Sequence, residues 1–287
     1  MKPSIATRGF GLAFAWSCLA ALAAAGEYAN TTLLTTPAAI KAYAEGDESV
    51  FPGGVTFVDV RSVAAHAAGN LAPGYRIDAG EWKAAFGDGD DAQGWTTRIG
   101  AVVHDPKTTV IVYDQTFSPT AARVWWLLRY WGVQDVRILD GGYAAAGAAG
   151  VRTYPFAARL SIPSTLIAKP QPDRLATRDE VMQAVAGDSA GAACVVDTRS
   201  DREFAAGAIP TARQSDWVRY VDPKTGKLRS ADELQALLDE AGFDPNAPAI
   251  TYCRTGGRAS VVAFAMELMG GKQVANYWGS WNDWSAE

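Results

Sequence analysis

FVDVRSVAAHAAGN, Phe57 to Asn70, is written a second time as VVDTRSDREFAAGA, Val195 to Ala208, with Asp59 falling on Asp197 and Arg61 on Arg199. A longer echo follows each copy. VIVYDQTFSPTAARVWWLLRYWG, from Val110, aligns with AITYCRTGGRASVVAFAMELMGG, from Ala249. Two matched blocks in the same order mean that one structural unit occurs twice. Within each unit, short apolar runs such as Cys194 to Asp197 and Ala249 to Tyr252 alternate with capped helical patterns. Thr177 with Glu180 opens a helix to about Ala186, and Ser230 with Glu233 opens one ending near Gly242. Ala259 to Met269 reads as a helix, Gln273 to Tyr277 as a short strand, and Thr36-Pro37 as another helix start. Strands separated by helices predict an α/β fold in each unit, a parallel sheet with helices on both faces.

The predicted domains are residues 26–150 and 173–287. Between them, residues 151–172 carry four prolines and no periodicity, as a linker crossing a domain surface does. The first 25 residues form a separate segment. Lys2 and Arg8 are basic, Phe10 to Leu22 is apolar, and Ala23 to Ala25 are small, which predicts a cleaved signal peptide and a periplasmic or secreted protein. The apolar run falls short of the ~20 residues that cross a bilayer, so no stable membrane anchor is expected after cleavage. Trp16 is too bulky for the small-residue pattern that would make Cys18 a lipidation site. Cleavage removes two positive charges and no negative ones, taking the formal charge from −5 to −7. A chain so acidic lacks the basic face that nucleic acid requires.

The chemistry concentrates in YCRTGGRAS, Tyr252 to Ser260. A glycine-containing loop turns backbone N–H groups inward, the following helix adds its positive end, and Arg254 and Arg258 add charge. Such a field lowers a thiol pKa, making Cys253 a candidate nucleophile. Cys194 belongs to an apolar strand run and reads as core packing, too far from Cys253 to bridge it. The regular spacing of Trp125, Trp126 and Trp131 reads as packing, whereas one or two of Trp217, Trp278, Trp281 and Trp284 could line an entrance. His66 and His104 read as surface or loop residues. No cysteine–histidine grouping suggests a metal.

These motifs together resemble the rhodanese family, specifically its two-domain sulfurtransferases. The carriers are the paired VDVR and VDTR segments, AAGAIPTA (205–212), CRTGGRAS, RVWWLLRYWG with LDGGY in the first half, and NYWGSWNDW near the end. The resemblance implies two tandem rhodanese-like domains, the first inactive because Asp114 stands where Cys253 stands in the second. It implies no cofactor, a small anionic sulfur donor, and a thiol or cyanide acceptor. Residue by residue, Cys253 would carry sulfur as a persulfide. Arg254 would hold the sulfonate of thiosulfate, Thr255 would donate a hydroxyl, and the amides from Arg254 through Gly256 and Gly257 to Arg258 would stabilise the negative sulfur. Arg258 would touch substrate or else bond loop carbonyls or Asp197. Asp197 and Arg199 would brace the site, and Glu203 would be a solvated or helix-capping acid. The chain departs from the family at Ala208 and Thr211, where histidine and glycine are usual, and at Trp278, where aspartate is common; the turn at 207–211 is expected to change shape.

Thiosulfate is the expected donor, with 3-mercaptopyruvate as the alternative. A cysteine-dependent phosphatase is a rival, but such enzymes place five residues between cysteine and arginine, whereas Cys253 and Arg258 enclose four. A non-catalytic sulfur carrier or interaction module is the second rival.

Overall fold

The structure, a computed structural model, describes residues 27–72, 74–155, 163–187 and 192–286. The expected signal peptide lies outside the described residues. Two all-parallel sheets account for the repeat. The first holds β1 (Leu34–Thr35), β2 (Val55–Asp59), β3 (Gly74–Arg76), β4 (Thr109–Tyr113) and β5 (Val136–Leu139) in the order β1-β5-β4-β2-β3. The second holds β6 (Cys194–Asp197), β7 (Arg213–Gln214), β8 (Ala249–Tyr252) and β9 (Val274–Asn276) in the order β7-β6-β8-β9. In both, the strand ending in aspartate pairs directly with the strand leading to the loop. Asp59 sits opposite Tyr113, and Asp197 opposite Tyr252. Every residue of β2, β4 and β8 is buried, as apolar runs covered on both faces should be.

The capping predictions locate real helices. Thr36 accepts from the Ala39 amide ahead of helix Pro37–Ala44, and reciprocal capping boxes open Arg178–Ala186 and Ala231–Glu240. The helix after the cysteine loop starts earlier than the apolar pattern suggests, at Gly257 rather than Ala259, because Gly256 in the left-handed conformation (φ 78°) serves as its cap. The last strand is shorter than expected, Val274–Asn276. Between the domains, Leu166 and Ala168 are buried, and the amides of Lys169 and Gln171 bond to the carbonyls of Trp131 and Tyr130. Residues 163–171 of the linker thus lie along the first domain.

The two halves share one apolar core. Helix Pro119–Tyr130 packs on its counterpart, Gly257–Leu268, with Phe264 set edge-on to Trp125 at 4.9 Å and to Phe117 at 5.5 Å. Trp278 crosses the boundary to stack on Trp126 at 4.9 Å and to meet Phe86 at 4.7 Å. Burying aromatic rings of this size dominates the energetics of such contacts. The N-terminal stretch adds a strap: the Asn30 amide bonds to the Leu268 carbonyl and the Tyr28 hydroxyl to the Arg229 carbonyl. The first domain therefore forms a fixed wall against the second.

Candidate active site

Cys253 follows the carboxyl end of β8, where parallel sheets present their sites. Its loop is fastened from three directions. Ser280, held at φ 55°, accepts the Cys253 and Gly256 amides at 3.2 and 3.1 Å and donates to the Tyr277 carbonyl at 2.6 Å. Asn276 Nδ2 donates to the Gly256 carbonyl at 2.9 Å and to Ser260 Oγ at 3.0 Å. The amides of Trp281 and Asn282, at the start of helix Ser280–Trp284, take the Cys253 and Arg254 carbonyls. The Gly256 amide is thereby withdrawn from the expected cradle. Those of Arg254, Thr255, Gly257 and Arg258 have no protein acceptor among the described residues.

Asp197 and Arg199 form the brace beneath this loop. The Arg199 guanidinium grips the Asp197 carboxylate, with Nη2 to Oδ2 at 2.6 Å, and reaches the Gly207 carbonyl at 2.7 Å. Tyr252 adds its hydroxyl to Asp197 at 2.6 Å. All three side chains are buried, so each charge needs these partners. The first domain repeats the arrangement with Asp59, Arg61, Tyr113 and Gly69. In the turn at 207–211, Thr211 holds a backbone φ of 64°, a left-handed conformation that strains a β-branched residue.

Cys253 is only 1% exposed, yet it lines a cavity of about 220 Å³ together with Thr255, Gly257 and Arg258 of its own domain and Ala79, Gly80, Pro119, Thr120 and Arg123 of the other. Two arginines take places other than those expected. Arg254 is exposed, does not line the cavity, and donates to Asn282 Oδ1 at 3.3 Å, so it is not positioned to hold a sulfonate beside the sulfur. Arg258 does line the cavity, but its partner is neither a loop carbonyl nor Asp197. It forms a two-pronged pair with Glu203 at 2.7 and 2.8 Å. Asp197 is already occupied by Arg199. Glu203 does cap a helix, Asp201–Ala205, through a capping box with Ser200. Arg258 holds its carboxyl down to about 2, and Glu203 in turn holds the Arg258 guanidinium above its ordinary value, with the Cys253 sulfur adding to the effect.

Arg123 supplies a cation that sequence reasoning missed. Its Nη2 donates to the Thr255 carbonyl at 3.1 Å and approaches Thr255 Oγ1 at 3.4 Å, while the guanidinium lies 5.6 Å from the Trp278 ring centroid. A Cβ at residue 257 would fall 2.1 Å from Nη2, so the second glycine of the loop makes room for the other domain's arginine. The first glycine serves the turn: besides its positive φ, a Cβ there would meet Trp278 at 2.9 Å.

Other expectations change in detail. Trp278 packs in the domain interface, and its face toward Gly256 backs the loop rather than opening an entrance. His66 is not in a loop: it lies on helix Val63–Ala68 with Nδ1 2.9 Å from the buried Asp59 carboxylate. His104 does sit outside regular structure, its Nε2 2.7 Å from the Tyr75 hydroxyl. Cys194 and Cys253 are both unbridged. Cys194 is partly buried, donates to the Ala241 carbonyl at 3.3 Å, and has its thiol pKa pushed up by burial, as a packing residue would.

The family description "Rhodanese-like domain" matches residues 37–149 and 177–287, one match per sheet. The chain belongs to the rhodanese family. Among curated rhodaneses, the thiosulfate sulfurtransferase of Pseudomonas aeruginosa is 30% identical over 197 residues, 65% of this chain and 70% of its own length. The chicken thiosulfate sulfurtransferase is 31% identical over 196 residues, 65% of this chain and 66% of its own length. The sulfur carrier protein TtuD of Thermus thermophilus is 31% identical over 200 residues, 62% of this chain and 68% of its own length. Among solved folds, the 3-mercaptopyruvate sulfotransferase SseA from Escherichia coli superposes with a TM-score of 0.70 at 24% identity, covering 88% of this chain and 99% of that one. The protein is a tandem rhodanese of the sulfurtransferase class, with both domains built on the same parallel fold.

Proposed function

We propose that this rhodanese transfers the sulfane sulfur of thiosulfate through a Cys253 persulfide to cyanide or a thiol, in the periplasm or outside the cell after loss of residues 1–25. The observation that carries the reading is the pairing, in one small cavity, of the Cys253 sulfur with free loop amides and two guanidinium groups. In the first step the Cys253 thiolate attacks the outer sulfur. A new sulfur–sulfur bond forms, the original one breaks, and its electron pair leaves with sulfite. In the second step cyanide attacks the terminal sulfur of the persulfide, releasing thiocyanate and restoring the thiolate. No net oxidant or reductant is needed. The loop amides of Thr255, Gly257 and Arg258 supply stabilisation for a negative sulfur, as an oxyanion hole does for oxygen. Asp197 and Arg199 hold the strand end on which the loop is built, and Glu203 positions Arg258.

The alternative donor, 3-mercaptopyruvate, shares the requirement for an anion site beside Cys253, and the outward position of Arg254 removes one argument that favoured thiosulfate. The assay should therefore supply thiosulfate, 3-mercaptopyruvate and p-nitrophenyl phosphate in parallel, with cyanide as acceptor for the two sulfur donors. Thiocyanate formation that is fastest from thiosulfate and absent in Cys253→Ser is expected. Preference for mercaptopyruvate would move the assignment to that donor, and phosphate release without thiocyanate would overturn it. N-terminal sequencing of exported protein is expected to begin at Gly26.

A further inference from the structure

The cavity at Cys253 lies between the domains, and its least compensated charge belongs to the domain without a cysteine. Arg123 projects from helix Pro119–Tyr130 and spends one nitrogen on Thr255. Its Nε is buried and has no partner, and no carboxylate pairs with it among the described residues. Arg258, by comparison, has its charge matched by Glu203, and Arg254 faces solvent. A part-buried guanidinium without a counter-charge is costly to maintain in a fold. Burial lowers its pKa, and the Cys253 sulfur is the group that offsets this. The glycine at 257 shows that the loop is shaped to admit the side chain, since any Cβ there would collide with it.

We propose that Arg123 is the donor-binding residue: its free guanidinium nitrogens receive the anionic end of a small sulfur donor, a sulfonate or carboxylate, while the donor's sulfur meets Cys253. The inactive domain then supplies substrate recognition, and the active domain supplies the nucleophile. A planar guanidinium suits a two-oxygen anion better than a point charge does. This inference rests on the sulfurtransferase reading for the donor's identity but not for the presence of the anion site.

Two measurements separate the two claims. The first is alkylation of Cys253 by iodoacetate relative to neutral iodoacetamide, which reads the anion site without any sulfur transfer. Arg123→Gln should lower that ratio about tenfold, the effect of losing one charged hydrogen-bonding partner, and Arg123→Lys should lower it less. The second is turnover: Arg123→Gln should raise the thiosulfate KM about tenfold or more, while discharge of the preformed persulfide to neutral dithiothreitol changes less than about twofold. Arg123→Lys keeps the positive charge and serves if the glutamine variant does not fold. An alkylation ratio unchanged in a folded variant would overturn the role of Arg123, whatever the turnover assay shows. A wild-type protein that takes no sulfur from thiosulfate or mercaptopyruvate, but whose alkylation ratio falls on mutation, would overturn the donor assignment and leave the anion site standing.

Discussion

The loop at residues 114–119 and the loop at residues 253–258 leave equivalent strands and enter equivalent helices, yet they differ in the side chain at the strand end and in the residues that enter the helix. In the first, Asp114 accepts the Gln115 amide at 2.7 Å and the Ser118 hydroxyl at 2.7 Å. The Phe117 amide goes to the Gly226 carbonyl of the second domain, and Pro119 has no amide to offer. In the second, the corresponding carboxylate is replaced by sulfur, the amides of Thr255, Gly257 and Arg258 remain unengaged, and Gly256 and Gly257 clear the space around them. The Thr116 and Ser118 amides likewise have no protein acceptor among the described residues, so the loops differ in the atom at the strand end, in the amides at 115 and 119 against those at 254 and 258, and in the two glycines.

Converting one loop into the other has the largest expected effect. Asp114→Cys places a thiol at the equivalent strand end but leaves Pro119 without an N–H and the loop without the two glycines. In a Cys253→Ser background it is expected to restore no sulfur transfer, and measurable thiocyanate production from this double variant would show that the Arg258 amide and the two glycines are dispensable. Ser280→Ala tests the active loop's own fastening. It strips the acceptor from the Cys253 and Gly256 amides, at about 1–3 kcal/mol for each group left unsatisfied. Urea unfolding is expected to register that loss together with reduced transfer; a stability within 0.5 kcal/mol of wild type, as a surface substitution would give, would contradict the fastening.

Glu203 and Arg258 are peculiar to the second domain, since their counterparts in the first are Ala65 and Pro119. The Glu203 carboxyl is depressed to about 2 by Arg258, so its contribution to stability is fully present above the unfolded value near 4.5 and is lost as pH falls toward 2. Both partners are partly exposed, at 25% and 33%, so solvent screening keeps the effect small. The difference in Tm between wild type and Glu203→Gln should be present at pH 7 and shrink between pH 4.5 and pH 2; a difference that grew on acidification would carry the wrong sign. The smallest expected effect is at Thr211, whose φ of 64° strains a β-branched residue. Thr211→Gly should relieve about 1 kcal/mol in the folded state, partly offset by the greater freedom of glycine in the unfolded chain, giving a slight rise or no change in Tm.

Much of this arrangement was legible from the residues. The repeat, the parallel sheets, and the capping boxes at Thr177 and Ser230 are local patterns whose physics is contained within a few positions. Cys253 stood out because glycine and arginine flank it. What sequence could not convey is direction across long separations. Arg123 sits on an apolar helix that reads as packing, and its meeting with Thr255 depends on the docking of two domains. Arg254 and Arg258 look alike in the string, but the backbone turns one outward to Asn282 and the other inward to Glu203. Glu203 already had a sufficient local explanation in its capping box, which concealed its second partner. Ser280 was visible only as part of a terminal motif, because its role needs a positive φ and two amides 24 and 27 residues away.

The claim on which the rest depends is that Cys253 accepts a sulfur atom. Mass spectrometry of the Cys253 peptide after incubation with thiosulfate is the direct measurement. The account predicts a gain of one sulfur in the wild type and none at the same peptide in Cys253→Ser; an unmodified Cys253 peptide in folded protein, after exposure to both thiosulfate and 3-mercaptopyruvate, would contradict it.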